Sequence, residues 1–302
     1  MQNFEFYSPT KVYFGKGQEE KVGAILKECD AKKIFVMYGG GSAKRSGLLD
    51  RVEASLTAVG LEYVEFGGVH ANPLLSHTYK AIEKARQEGI DFILAVGGGS
   101  VIDEAKATGL GLCYDGDVWD FYAKKATPQA MIPVGSVLTI AAAGSETSRS
   151  SVITNEQGWL KLGYSSDLIR PIFTIMNPEL LYTLPPYQMA CGCVDMIMHV
   201  LERFFSPHAE DDLTDHMAAA LIRNVRKMRK SSRKTRRIIM PISKSCGQAA
   251  WLIMAFLKAA TVTVIGGLIT LKWKCPASLT WLTVPVWLRF GLVGHGMSSI
   301  KT

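Results

Sequence analysis

Residues 91–112 read DFILAVGGGSVIDEAKATGLGL. The first six form a near-continuous apolar run, the pattern of a strand buried on both faces. Three glycines stop that run, and the apolar residues of VIDEAKATGLGL then recur at helical spacing. The same order of strand, glycine turn and helix occurs earlier, as KKIFVMY (32–38), GGGSAKRSG (39–47) and a helix through LLDRVEASLTAVG. Between the two units, LEYVEF (61–66) predicts a strand and SHTYKAIEKARQEG a helix. The aromatic and β-branched residues between Phe4 and Phe14 predict a strand or hairpin, and MIPVGS (131–136) and IFTIMN (172–177) two shorter strands. Such alternation predicts an α/β fold, a parallel sheet covered on both faces. After Pro185 and Pro186, residues 187–205 and 212–227 are helical by pattern with nothing strand-like between them. A domain boundary is expected near 180–186, at the paired prolines.

Gly39-Gly40-Gly41-Ser42 and Gly97-Gly98-Gly99-Ser100 both follow strand candidates. Glycine lets backbone approach an anion closely, and the helix that follows offers unpaired N–H groups and a positive dipole end. Either turn alone reads equally well as an ordinary strand-to-helix connection. Two of them, both at carboxyl ends of parallel strands, point toward a shared phosphate crevice. Neither is G-x-G-x-x-G, so the usual dinucleotide fingerprint is absent. Ser100 is expected to cap its helix or to bond a phosphate oxygen. LTIAAAGSETSRSSVI (138–153) adds a hydroxyl-rich turn with Thr139, where Ser145 or Thr147 could open a helix. Asp103 and Lys106 read equally well as surface charges or ligand contacts, and Lys161 sits in a short polar stretch.

GCVDMIMHVLERFF (192–205) carries the sharpest chemistry. Asp195 and His199 are four apart, so a helix puts them on one face, with Glu202 near that side. Imidazole and carboxylate suit Zn²⁺ or Fe²⁺. A helical Asp–His hydrogen bond at a domain interface explains the pair as well. A stable site needs three or four ligands, and the other histidines (70, 77, 208, 216 and 295) offer no second pair at suitable spacing after residue 200.

The 302 residues carry a formal net charge of +7, unevenly distributed. Residues 1–215 hold all 27 acidic residues against 19 basic ones, whereas 216–302 hold 15 basic residues and no Asp or Glu. Soluble surfaces normally mix both signs, so one ordinary basic protein is a poor description. Six scattered cysteines are too few for a disulfide scaffold, and the N-terminus lacks a signal-peptide pattern, so a cytoplasmic location is expected.

Residues 1–227 resemble the iron-containing alcohol dehydrogenases, specifically their butanol dehydrogenase-like branch. The resemblance rests on NFEFYSPTKVYFGKG, YGGGSAKRSG, Asn72-Pro73, ILAVGGGSVIDEAK, LTIAAAGSE, NPELLYTLPP and GCVDMIMHVLERFF. It implies an N-terminal Rossmann-like parallel-sheet domain (1–185) that holds NAD(P)H along Gly39, Gly40, Gly41, Ser42, Gly97, Gly98, Gly99, Ser100, Asp103, Thr139 and Lys161. An all-helical metal-binding domain would start at 186–227, incomplete in this chain. The resemblance further implies a divalent metal, Fe²⁺ or Zn²⁺, held by Asp195, His199 and two later histidines. That metal would act as a Lewis acid on the oxygen of a primary alcohol or aldehyde such as butanol or butanal, while hydride passes to or from the nicotinamide. Intact relatives are expected to be homodimers. Two other readings stay open: a nucleotide-binding remnant without catalysis, and a dehydroquinate or glycerol dehydrogenase-like enzyme of the same fold, against which GCVDMIMHVLERFF argues.

The two later histidines of the family lie in segments of the form DW..H.IE.E.S and DV.HGAG, and neither is present. The genetic code offers a reason. Codons that start one base early, taking the third base of one codon and the first two of the next, make VIGGLITLKWKCPASLTWLTVPVW (264–287) compatible with DWRSHNIEMEVSGFFDVAHGAGL. The two histidines would fall across Leu268/Ile269 and Leu282/Thr283. The tail 228–302 is therefore expected to be a frameshift product that folds poorly, and the chain to have weak or no metal-dependent turnover. Read literally, WLIMAFLKAATVTVIGGLITL (251–271) would suit a membrane span, and RKSSRKTRR (229–237) a nucleic-acid or anionic-lipid patch. Frameshift explains the basicity, the missing acids and the missing ligands together, and so argues against both.

Overall fold

A computed structural model describes residues 7–205 and 212–232. The apolar stretch 251–271, the segment 264–287 and most of the basic tail lie outside the described residues.

Eight strands and eight α-helices are described. In chain order they are β1 (Lys11–Phe14), α1 (Val22–Glu28), β2 (Lys33–Tyr38), α2 (Ser42–Arg45), α3 (Leu48–Ala58), β3 (Glu62–Phe66), α4 (Leu75–Glu88) and β4 (Phe92–Gly97). There follow α5 (Gly99–Leu112), α6 (Trp119–Tyr122), β5 (Val134–Leu138), β6 (Ser150–Asn155), β7 (Leu160–Ser165), β8 (Phe173–Met176), α7 (Pro186–Phe204) and α8 (Asp212–Ser232). Six strands form one sheet in the order β1-β8-β5-β4-β2-β3, and every pair in it is parallel.

Period-2 alternation sorts each central strand between two cores. Ile34 and Val36 of β2 face Leu49, Val52 and Leu56 of α3 and Val22 and Leu26 of α1. Phe35 and Met37 face Ala81 and Ala85 of α4 and Val101, Ile102 and Ala105 of α5. All four β2 side chains are fully buried, which is why the strand reads as an unbroken apolar run.

The order also fixes where a ligand belongs. From β2 the chain crosses outward to β3, then returns past β2 to pair β4 on its other side and continues to β5. The connections leave β2 and β4 in opposite directions, so the crevice at their carboxyl ends is the switch point of the sheet. Tyr38 pairs with Val96 there, and a triple-glycine turn follows each strand.

The sequence reading needs one correction. Residues 138–153 contain no helix opened by Ser145 or Thr147. After β5 the chain runs irregularly to Arg149 and then enters β6, which forms an antiparallel hairpin with β7. Serine recurs in this stretch because the hydroxyls of Ser145, Ser150 and Ser151 are used for tertiary hydrogen bonds rather than for capping. Beyond the sheet, α7 starts at Pro186 and pairs with α8 through Cys193, Met196, Val200, Ala218, Leu221 and Val225.

Candidate cofactor and metal site

The switch-point crevice has a floor of two glycine turns. At the first, Gly39 lies 3.5 Å from the Val69 carbonyl and 3.7 Å from the Val101 side chain, measured from where its Cβ would stand. Gly41 has φ +91°, a conformation glycine adopts without strain, and Ser42 is exposed at the start of α2. At the second, a Cβ on Gly98 would come within 2.3 Å of Ile140. Gly98 is the N-cap of α5, and no side chain caps that helix. Val101 N–H returns to the Gly98 carbonyl at 3.0 Å, so an anion at this helix start would be received by the N–H groups of Gly99 and Ser100. Ser100 does not cap: its Oγ accepts from the Asn72 N–H at 3.3 Å.

One wall of the crevice is the segment between β3 and α4. It is tied to the floor by Val69 N–H to the Tyr38 carbonyl (3.2 Å) and Gly68 N–H to the Gly39 carbonyl (3.3 Å). Asn72 sits at its centre with φ 58°. Its N–H goes to Ser100, and its side-chain carbonyl accepts from Lys161 Nζ at 2.6 Å. Lys161 thus lies on β7 of the hairpin and reaches across to the opposite wall.

The other wall is the loop 139–149 with β6. Thr139 N–H bonds the Gly97 carbonyl at 3.0 Å. Lys106 holds the rest. Its fully buried ammonium donates to the carbonyls of Ser145 (2.7 Å), Ser148 (2.9 Å) and Ser150 (2.9 Å) and to Ser145 Oγ (3.1 Å). Ser145 Oγ in turn donates to Asp103 Oδ1 at 2.5 Å, and Val152 N–H reaches Asp103 Oδ2 at 3.2 Å. Burial pushes the Asp103 carboxyl above its usual range, and Lys106 opposes that shift. Neither residue is a surface charge. Both clamp the hairpin onto α5, a cost in desolvation that only paired and bonded charges can bear. Beside them, burial raises the Glu146 carboxyl to about 7.

The same loop meets α7. A Cβ on Gly192 would lie 2.4 Å from the Ala141 carbonyl oxygen, so helix and loop are in backbone contact. One turn further, Asp195 Oδ2 stands 3.8 Å from His199 Nε2, and Glu202 Oε2 stands 3.5 Å from His199 Nδ1. Helical spacing brings the three together as expected. Among the described residues, no group of three or more His, Cys, Asp or Glu side chains is placed to hold an ion.

Sequence reading missed the roles of Asn72, Ser100 and Lys161 as ties between the walls, and also the pairing of His77 with the buried Glu104. The i, i+4 spacing of Ser100 and Glu104 was the available signal, since it places both on one face of α5.

The family model described as iron-containing alcohol dehydrogenase matches residues 9–178. A Bacillus subtilis protein named "Probable NADH-dependent butanol dehydrogenase 2" is 44% identical over 225 residues, 74% of this chain and 57% of the relative. NADH-dependent butanol dehydrogenase A of Clostridium acetobutylicum is 35% identical over 279 residues, 91% of this chain and 68% of the relative. A crystal structure of NADH-dependent butanol dehydrogenase A from Thermotoga maritima superposes with a TM-score of 0.81 at 38% identity, covering 85% of this chain and 65% of that one. The chain thus spans less than two thirds of the Bacillus protein's length.

Proposed function

This chain belongs to the iron-containing alcohol dehydrogenase family, and on that premise we propose that it binds NAD(P)H at the β2/β4 crevice as the cofactor half of an oxidoreductase for primary alcohols and aldehydes, of the butanol–butanal type. The observation that carries the reading is the pair of triple-glycine turns lying side by side at the switch point of the sheet. Gly39–Ser42 and Gly97–Ser100 would hold the dinucleotide and Thr139 would line the cleft, with Asp103 and Lys161 fixing the walls rather than gripping the ligand. When bound, the nicotinamide supplies hydride exchange with the substrate carbon. The residues of this chain bind, orient and shield it.

The metal half of the reading is different. Asp195 and His199 remain the candidate ligands, but the described residues do not complete a coordination shell, and the tail adds one histidine, His295. We therefore propose that metal-dependent turnover is weak or absent in this chain. The cause we propose is a shift of reading frame near codon 228, supported by the acid-free tail and by the codon compatibility of 264–287. The nucleotide sequence across codons 225–302 tests it: the frame one base early should spell the two histidine segments, and a frame that does not spell them ends the idea. For the cofactor, NAD(P)H fluorescence titration of the full chain should saturate near one equivalent. Absence of binding would defeat the functional reading. A cytoplasmic location fits this proposal, and no helix among the described residues is long and apolar enough to cross a membrane. Homodimerisation, as expected of intact relatives, belongs to the same proposal.

A further inference from the structure

One face of α5 grips the β3–α4 wall at two points, one helical turn apart. The first is Ser100 Oγ, which takes the Asn72 N–H. The second is Glu104, whose Oε1 stands 2.5 Å from His77 Nδ1 on α4. Glu104 is fully buried, and its other oxygen, Oε2, is out of contact with water and has no hydrogen-bond partner. The His77 ring is held by Phe66, with centroids 4.8 Å apart, and by the edge of His70 at 6.4 Å. A buried carboxylate with one oxygen unmet depends on the charge of its single partner. When that partner loses its proton, the hydrogen bond can persist but the compensation does not.

We propose that His77 and Glu104 form a proton-operated latch, which holds the β3–α4 wall of the cleft against α5 while His77 is charged and loosens it when His77 is neutral. The inference rests on the reading of that cleft as the NAD(P)H site. The groups around the pair are known. Lys80 follows on α4 and opposes charge on His77, and Glu156, just after β6, offsets Lys80. His70 in the wall favours the Glu104 carboxylate, and Tyr122 of α6 lies within its field. Asp103, the neighbour of Glu104, faces the hairpin instead. The hydrogen bond to Glu104 is the largest influence on His77 and raises its pKa, with the Gly67 carbonyl adding to it, while burial raises Glu104. Both groups then bind protons more tightly in the folded chain than in the unfolded one. The latch is fully set below the ordinary histidine value and is lost as pH rises through the raised value of His77.

The test uses the full chain with ¹³C,¹⁵N-labelled histidine, the His77 signal being identified by its loss in His77→Phe. His77 should titrate above the ordinary histidine range and fall back toward it in Glu104→Gln. The dissociation constant for NADH or NADPH should rise about threefold between pH 6.5 and 8.5, the effect of half a pKa unit of coupling. That step should be missing in both variants. Titration of His77 at its ordinary value, or a pH step unchanged in His77→Phe, overturns the latch. If neither cofactor binds at any pH, it is the functional reading that fails. The latch is then decided by the histidine titration and by the fall of the thermal midpoint with pH, which His77→Phe should flatten and which it would leave unchanged if the latch is wrong.

Discussion

Lys106 places a positive charge out of water and spreads three protons over four oxygen acceptors of the 145–150 segment. Lys106→Met keeps the length of the side chain but leaves those carbonyls without their shared donor and Asp103 without its cation. The loss should be about 3 kcal/mol, in the range for breaking a buried charged network. Urea unfolding measures it, and a change under 1 kcal/mol would show that the wall does not depend on the lysine. Glu146 gives a second prediction at this scale. Burial raises its carboxyl to about 7, so the folded chain holds that proton where the unfolded chain has released it. Stability contributed by the proton is complete below the ordinary glutamate value and declines as pH rises through 7. Glu146→Gln should flatten that part of the stability curve between pH 5 and 8, by up to about 3 kcal/mol. An unaltered slope in the variant would count against the buried carboxyl as its source.

At the scale of elements, α7 docks by backbone contact at Gly192. Alanine there gains up to about 1 kcal/mol of helix propensity but puts its Cβ 2.4 Å from a carbonyl oxygen. A main-chain atom cannot rotate away as a side chain can, so overpacking of about 1–3 kcal/mol should win. We expect Gly192→Ala to lower the urea midpoint, and a midpoint that rises instead would mean that α7 does not rest on the 139–147 loop. The central parallel strands were legible because they are buried on both faces, so Ile34–Met37 of β2 and Phe92–Val96 of β4 run apolar without interruption. The β6–β7 hairpin was not. One face of β7 is exposed, and its turn carries Trp159 at φ 51° rather than the glycine–asparagine pairs that signal a hairpin. The glycine turns of the candidate site were legible as turns, but their adjacency is a property of strand order, which no local pattern carries. Asp103 and Lys106 were ambiguous for a related reason: a charge on a helix reads as solvated until the segment that buries it, forty residues on, is in place.

The described residues join an α/β unit, built on the six-stranded parallel sheet, to the helices α7 and α8. The two parts carry different expectations. The crevice described at β2/β4 is built from residues before 227, whereas two of the four metal ligands implied by the family would come after it. This separates cofactor binding from catalysis in a way that an intact relative would not. Butanal reduction with Fe²⁺ or Zn²⁺ supplied should be weak or absent, and a chain rebuilt from codon 228 in the frame one base early should recover turnover. Failure of the rebuilt chain to gain activity would separate the frame from the defect. The most direct test of the account is an equilibrium titration of the full chain with NAD(P)H, carried out with and without Fe²⁺ or Zn²⁺. The account predicts saturable binding near one equivalent, with an affinity that the metal does not change. No binding, or binding that tightens as one metal ion per chain is taken up, would contradict it.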